Sequence, residues 1–435
     1  MSNEENKEKG PQNEEELKKN QNNEDHAANQ NQNENEGENQ NQNNTNNQNQ
    51  ENKEENQRND DQNNEKDANS KQEEEEKQYE EDGDEDEDEE TTNRSNLDSY
   101  SILISKARYY QNANILQGKD WYDMSVYLPK IQSPDEYTIV ENIDGGKFST
   151  VYKAYKTDPD DETKKIDVAL KVLLPYDIRK YLKEIKVLSN LDGKCNIVKF
   201  YGLVQDPVTH VFSIALEWVK MQKYQKIYPR MKIGDIRHFM RLFLEGLDYA
   251  HGHGIIHRDL KPGNLGIDME GRTLKILDWG LAEFYQPGVR INPQAGTRAY
   301  LSPEQMIKYP YLDYSTDIWS AGLVFGMMLL STHLVMPGQD NKEQIKNLAK
   351  LIGGQTVINL VGMLDMRMER ELMHNVRMIP KEGFDPIVQK ARERGREVPP
   401  DALDLLQKML TPDFRYRISA HEALEHPFIT GEQKE

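Results

Sequence analysis

Glycines and small hydroxyl residues are concentrated in one stretch, N-I-D-G-G-K-F-S-T-V-Y from 142 to 152. A glycine loop between two strands lets backbone N–H groups approach phosphate oxygens, since glycine has no side chain and tolerates positive φ. Aligned on Val151, Gly146 keeps the middle glycine position of such a loop, while Asp144 takes the first and Ser149 the third. The pattern predicts a phosphate-binding loop in which an inward-pointing Asp144 carboxylate would repel phosphate.

Acidic, amide and lysine side chains recur in two further strings, H-R-D-L-K-P-G-N-L at 257–265 and L-D-W-G at 277–280. V-A-L-K ends at Lys171, a glutamate follows at Glu184, and S-P-E occupies 302–304. Taken singly, each has a structural explanation: a charge at a sheet edge, a solvated helix face, a turn residue. Five signals in this order are a specific pattern.

This set resembles the eukaryotic protein kinase domain, and the resemblance extends over residues 137–430. It implies transfer of the ATP γ-phosphate to a hydroxyl group, a reaction with a loose transition state in which catalysis is mostly positioning and charge neutralisation. In that resemblance Asp259 accepts the hydroxyl proton and orients the attacking oxygen. Lys261 neutralises the transferring phosphate and is typical of a serine/threonine kinase.

The resemblance also implies how ATP and Mg²⁺ are held. Lys171 grips the α- and β-phosphates and is positioned by an ion pair with Glu184. Asn264 and Asp278 supply hard oxygen ligands for Mg²⁺, which keeps several waters and needs few protein ligands.

The adenine base is implied to bind the backbone of the segment between the lobes, at the Glu217 carbonyl and the Val219 N–H. Gly266 stands where the family usually has a larger apolar residue, which predicts a more loosely held base. The other residues implied to surround the nucleotide are Ile143, Asp144, Gly145, Gly146, Lys147, Phe148, Ser149, Thr150, Val151, Ala169, Lys171 and Leu277.

Within the kinases, the chain is most similar to the casein kinase II catalytic subunit family, over about 105–428. The strings that carry this similarity are S-K-A-R-Y-Y from 105, D-W-Y-D from 120, D-W-G-L-A-E-F-Y-Q-P-G from 278, G-Q-D-N from 338 and A-K-L-I-G from 349. The similarity implies that a segment ahead of the kinase domain packs on the activation segment, with Tyr109, Trp121 and Tyr122 as the contacting residues. The enzyme would then be active without an activating phosphate.

This family selects acidic substrates through basic residues. The helix that begins near 178 has a thinner basic cluster than the family, namely Arg179, Lys180 and Lys183. The activation segment keeps Arg298, but Gln294 and Leu301 stand at positions that are basic in the family. A weakened preference for acidic sequences is therefore expected.

Alternating apolar residues predict strands, and apolar residues three and four apart predict helices. The predicted strands are 137–142, 150–155, 166–173, 196–203 and 211–218, and the predicted helices are 178–191, 236–247 and a buried 317–330. We expect an α+β fold of two lobes: a β-rich N-lobe with one main helix (137–219) and a helical C-lobe (220–430). Residues 99–136 are expected to pack on this kinase core.

The N-terminal part has a different composition. Residues 1–100 contain 33 acidic and 10 basic residues, which leaves 43 and 45 in the remainder, so the excess negative charge lies almost wholly at the N-terminus. Residues 1–98 are rich in Asn, Gln and Glu and lack the apolar side chains needed to offset the entropy of ordering. The sequence predicts a disordered acidic tail whose charge disfavours nucleic-acid or anionic-membrane partners.

No apolar run suggests a signal peptide or a membrane span, so we expect a cytoplasmic or nuclear protein. The expected partners are protein substrates and a regulatory subunit. Two alternatives stay open: a pseudokinase that acts as a scaffold, and a kinase of a neighbouring group with another substrate rule. Cys195, the single cysteine, is expected to be a packed and inert thiol.

Overall fold

The computed structural model describes residues 109–125, 127–145, 149–158, 161–173 and 178–431. The predicted disordered tail and residues 99–108 lie outside this range. The part that is described has the two-lobed α+β architecture expected from the sequence, which is thereby confirmed.

The segment ahead of the small lobe forms two short helices, α1 (Ala113–Gln117) and α2 (Lys119–Tyr122). The elements of the small lobe are β1 (Ile131–Gln132), β2 (Tyr137–Gly145), β3 (Ser149–Asp158), β4 (Asp161–Leu173), α3 (Arg179–Leu191), β5 (Phe200–Gln205) and β6 (Phe212–Glu217). Its six strands form one sheet in the order β1-β5-β6-β4-β3-β2, antiparallel except for the parallel pairing of β1 with β5. Alternation of side chains along β4 sends Leu173 toward α3, where it packs with Ile185, Leu203 and Ile214. Helix α3 therefore covers one face of the sheet.

The large lobe is mainly helical. Its elements are α4 (Tyr224–Ile227), α5 (Ile233–Gly252), β7 (Ile255–Ile256), β8 (Leu265–Asp268), β9 (Thr273–Ile276), β10 (Glu283–Phe284), α6 (Pro303–Met306), α7 (Ser315–Leu330), α8 (Asn341–Ile352), α9 (Gly354–Met363), α10 (Arg370–Arg377), α11 (Asp385–Glu393), α12 (Pro400–Met409), α13 (Ala420–Leu424) and α14 (Pro427–Thr430). Strands β8 and β9 form one hairpin, and β7 pairs with β10. Every residue of α7 is buried, as its nearly all-apolar sequence predicts.

Two details of the sequence interpretation are wrong. Strand β5 begins at Phe200, because Asp192, Cys195 and Asn196 have positive φ and form an irregular turn instead of the start of a strand. Cys195 is exposed in that turn and is not a packed thiol. The apolar residues that suggested its burial, such as Ile197, are buried themselves.

No helix in the described ranges is long and apolar enough to cross a bilayer.

Candidate active site

Strand β4 and helix α3 bring together two of the predicted site residues. Lys171 Nζ lies 3.0 Å from Glu184 Oε1 and 3.4 Å from Asp278 Oδ1. Burial alone lowers the pKa of the Lys171 ammonium, but the Glu184 and Asp278 carboxylates raise it above its ordinary value. Burial raises the pKa of Glu184, and Lys171 opposes that rise. The lysine is thus a fixed cation aimed at the cleft between the lobes.

The loop after β7 holds Asp259 at the centre of a hydrogen-bonded group. Asp259 Oδ2 accepts from Asn264 Nδ2 at 3.2 Å and lies 3.0 Å from Lys261 Nζ. Asp259 Oδ1 accepts from the backbone N–H of Thr297 at 2.8 Å and from its hydroxyl at 2.6 Å. Lys261 Nζ in turn donates to Thr297 Oγ1 at 2.9 Å. A carboxylate, a cation and a hydroxyl therefore converge where the activation segment returns to the cleft.

A buried carboxylate on α7 supports this loop from beneath. Asp317 accepts the backbone N–H groups of His257 at 2.7 Å and Arg258 at 2.9 Å, and it lies 3.0 Å from His251 Nε2. Burial would raise the pKa of Asp317, but the hydrogen bond and charge of His251 hold it below its ordinary value. Arg258 has a φ of 71°, so Asp317 stabilises a strained backbone at the start of the loop.

His257 links the loop to the segment that carries Asp278. Its Nδ1 accepts the backbone N–H of Asp259 at 3.2 Å, which leaves Nε2 to donate to the Leu277 carbonyl at 2.9 Å. The side chain is 1% exposed. His257 is a packed residue that fixes the spacing of the two acidic groups.

The predicted nucleotide residues divide between described and undescribed positions. Asp144 pairs in register with Val151, and Gly145 with Thr150, so the hairpin extends to both sides of the predicted loop. Gly146, Lys147 and Phe148 lie outside the described residues, and so does the side chain of Asp144. The remaining predicted wall residues, Ile143, Ser149, Ala169 and Leu277, are partly exposed or exposed.

In the segment between the lobes, the backbone N–H and the side chain of Glu217 both bond other residues of the protein. The N–H donates to the Lys199 carbonyl at 2.8 Å, and Oε2 forms an ion pair with Lys275 at 2.8 Å. A Cβ at Gly266 would lie 2.6 Å from Cγ1 of Val219. The Val219 side chain therefore occupies the space that a larger residue would fill at Gly266.

The activation segment is tied to both lobes by one acidic residue. Glu283 Oε2 accepts from Lys183 Nζ on α3 at 2.7 Å and lies 3.4 Å from Arg258 Nη1. Arg258 Nη2 also donates to the Asn292 carbonyl at 2.7 Å. The Glu283 carboxylate thus connects helix α3, the loop of Asp259 and the activation segment.

The segment ahead of the sheet packs on the C-lobe and on the start of the activation segment. Asn114 Nδ2 donates to the carbonyls of Gly254 at 2.8 Å and Tyr285 at 2.6 Å. Tyr110 is buried with Tyr285 and Ile291 in a small apolar cluster, and its hydroxyl donates to Asp248.

The contacts of Tyr109 and Trp121 differ from those predicted for this packing. Tyr109 is 67% exposed and stacks on His421, so the expectation that it contacts the activation segment is wrong. Its neighbour Tyr110 is buried and packs against Tyr285 of the activation segment. Trp121 Nε1 donates to the His253 carbonyl at 2.9 Å, and its own carbonyl accepts from Asn190 on α3 at 2.8 Å.

Two activation-segment residues have roles that the sequence does not predict. Thr297, which belongs to none of the motifs, bonds Asp259 and Lys261. Leu301, compared in the sequence with basic residues that contact substrate, is 5% exposed and belongs to the C-lobe core. Neither placement has a local signal, because both depend on where the activation segment folds back.

Residues 137–429 match the protein kinase domain family. This is more than half of the chain, and the chain belongs to the protein kinase family. The family implies ATP and Mg²⁺ as the usual substrate and cofactor, and protein as the phosphate acceptor.

The donors in the cleft fit Mg²⁺. Asn264 turns its amide nitrogen toward Asp259, donating to the Asp259 carbonyl at 2.8 Å, which leaves the amide oxygen as its possible metal ligand. The Asp278 side chain is 49% exposed and touches Lys171 at the long distance of 3.4 Å. In the described ranges no cluster of three or more His, Cys, Asp or Glu forms a metal site. Two oxygen donors are what a water-rich Mg²⁺ bound to ATP requires.

Proposed function

We propose that the protein is a serine/threonine kinase of the casein kinase II type that transfers the ATP γ-phosphate to protein hydroxyls. The observation that carries this proposal is the contact of Lys261 with both Asp259 and Thr297. Asp259 would accept the proton of a serine or threonine hydroxyl, and Lys261 would neutralise the phosphate in transit. Lys171 would hold the α- and β-phosphates, and bound Mg²⁺, held by Asn264 and Asp278, would neutralise charge on the phosphates.

We also propose that the kinase is active without phosphorylation of its activation segment. Phosphorylation orders such segments in other kinases by giving an arginine a phosphate partner. Here Arg258 already pairs with Glu283 and donates to the Asn292 carbonyl. Asn114 holds Tyr285 from the other side. Protein groups therefore supply the ordering contacts.

An acidic substrate preference is part of the proposal, with Arg290 in addition to Arg298, the cation that the sequence indicates in the activation segment. Arg290 in the activation segment is exposed, and within the described residues it has no ion pair. Arg298 donates to the carbonyls of Gly338 and Gln339 at 3.2 and 2.8 Å, which fixes its guanidinium next to the loop that precedes α8. We propose Arg290 and Arg298 as the residues that favour acidic sequences. A cytoplasmic or nuclear location and a regulatory subunit complete the proposal.

The test is phosphate transfer from Mg-ATP by the purified full chain, with Asp259→Asn as the matched control. A library of serine- and threonine-containing peptides then reports the sequence preference. Transfer that Asp259→Asn abolishes, with enrichment of acidic residues around the acceptor, supports the proposal. An inactive wild type would favour a scaffold, and a proline-directed or basophilic profile would favour a neighbouring kinase group.

A further inference from the structure

A cavity of about 310 Å³ lies in the C-lobe, outside the residues assigned to catalysis or nucleotide binding. Its volume is at the lower end of the roughly 300–1,000 Å³ of ligand pockets. The walls are the end of α7 with the loop to 336, one face of α8 and one face of α11. On α11 the lining positions Ile387, Lys390 and Ala391 are three and four residues apart and share one side of the helix, and Arg394, the residue directly after α11, also lines the cavity.

Three cations surround this cavity: Lys350 on α8, Lys390 on α11 and Arg394 directly after α11. All three are exposed, and within the described part of the chain none has a carboxylate partner. Lys390 and Arg394 are four residues apart at the C-terminal end of α11, so their like charges repel each other. An anion between them would relieve that repulsion. One acidic residue, Glu382, also contributes to the lining.

Two neighbouring arginines bond the backbone, whereas within the described residues no hydrogen bond or ion pair is made by the side chains of Lys390 and Arg394. Arg392 Nη2 donates to the Val398 carbonyl at 3.1 Å. Arg396 donates to the carbonyls of Leu329 at 3.2 Å and Pro229 at 3.0 Å, which fastens its loop to the end of α7. In the string K-A-R-E-R-G-R, two arginines therefore hold the backbone, whereas Lys390 and Arg394 only face the cavity.

The floor of the cavity has the opposite character. Leu330, Leu351 and Ala391 are buried in it, and Met336 stands 60% exposed at its rim. An apolar floor beneath a cationic rim matches an apolar side chain flanked by carboxylates. The carboxylates would approach the cations as the apolar side chain leaves water.

We propose that this cavity docks an acidic peptide segment with an apolar anchor residue, carried by protein substrates of the kinase. The choice of a substrate as the source rests on the proposed function, in which the same enzyme favours acidic sequences. Docking of this kind raises the local concentration of the acceptor near the cleft without contributing to the chemical step.

The first test measures binding without catalysis. A labelled peptide of one phenylalanine followed by a run of glutamates, with no hydroxyl residue, is titrated with the full chain by fluorescence anisotropy. We expect Lys390→Gln/Arg394→Gln to weaken binding about tenfold, since each exposed charge contributes modestly, and the affinity of the wild type to fall with added salt. Lys350→Gln, on the opposite wall, should weaken binding less.

The control is Arg367→Gln/Arg377→Gln, which removes two exposed cations outside the cavity and should bind the peptide like the wild type. Equal affinity of the wild type and of Lys390→Gln/Arg394→Gln would overturn the proposal. Binding of phosphatidylserine vesicles that depends on these two residues, without peptide binding, would also overturn it and assign the cavity to a lipid headgroup.

The second test links the cavity to substrate use. The KM of a substrate that carries the acidic segment should rise about tenfold in Lys390→Gln/Arg394→Gln, whereas kcat, and the KM of the same substrate without the segment, should not change. Peptide binding in an enzyme that transfers no phosphate would refute the proposed function and leave the docking site standing. Phosphate transfer by Lys390→Gln/Arg394→Gln with an unchanged KM for the substrate that carries the segment would refute the docking site and leave the proposed function standing.

Discussion

Thr297 offers the sharpest test of how the cleft is organised. Its hydroxyl donates to Asp259 Oδ1 at 2.6 Å and accepts from Lys261 Nζ at 2.9 Å, so one oxygen joins the proposed base to the proposed phosphate-binding cation. Thr297→Val keeps the shape and the backbone N–H bond to Asp259 but removes both hydroxyl contacts. Thr297→Ser keeps the hydroxyl and loses one methyl group.

The size of the effect follows from the charge of both partners. A hydrogen bond to a charged group contributes about 1.5–3 kcal/mol, and the two share one hydroxyl, so the loss should be about 2–4 kcal/mol. If it is felt in the transition state, kcat falls by a factor of ~30–1,000.

The assay is steady-state transfer from Mg-ATP to an acidic peptide, with kcat and KM determined separately. We expect Thr297→Val to lower kcat with little change in the KM of ATP, and Thr297→Ser to retain most of the activity. A Thr297→Val enzyme as active as the wild type would refute the reasoning. A Thr297→Ser enzyme as impaired as Thr297→Val would show that packing, and not the hydroxyl, is what matters.

Three further predictions concern the surroundings of the cleft. Removal of residues 1–124 should cut activity sharply and removal of 1–98 should not, because only the first deletion takes away the contacts to the activation segment; equal activities would contradict this. Glu283→Gln keeps the shape but weakens two partly exposed ion pairs, so kcat should fall about two- to tenfold, and an unchanged rate would mean that the carboxylate does not order the segment. Gly266→Ala places a Cβ 2.6 Å from Val219 and should raise the KM of ATP, which Gly266→Ala/Val219→Ala should partly restore if the clash is the cause.

The sequence was most informative where chain spacing alone brings side chains together. Asp259, Lys261 and Asn264 lie within six residues, so the single turn Pro262–Asn264 is enough to bring Asn264 back to Asp259. The pairing of Lys171 with Glu184 was also accessible, because a strand followed by a short connection and a helix allows few arrangements. These contacts are largely local, and pattern reasoning reaches them.

The sequence does not predict the contacts that the activation segment makes where it folds back toward Asp259. Thr297 is 38 positions beyond Asp259, and nothing near it in the sequence distinguishes a hydroxyl that bonds a carboxylate from one that faces water. Leu301 is buried in the C-lobe core, and its position in the sequence alone does not distinguish that place from one on the substrate-facing surface. Tyr109 and Tyr110 are adjacent and identical, so only packing against Asp248 and Tyr314 decides which of them is buried.

The position of the proposed base also depends on Asp317, which lies outside the motifs that carry the predicted catalytic residues. Asp317 is 1% exposed, and by accepting the N–H groups of His257 and Arg258 it fixes the backbone just before Asp259. A buried carboxylate without partners would be strongly destabilising, whereas here two N–H groups and His251 satisfy it. The first turn of the buried helix α7 therefore holds the backbone at Arg258, which has a positive φ, against the packed C-lobe. Preorganisation of Asp259 thus comes from helix packing, and the loop that carries the proposed base is rigid because its support is buried.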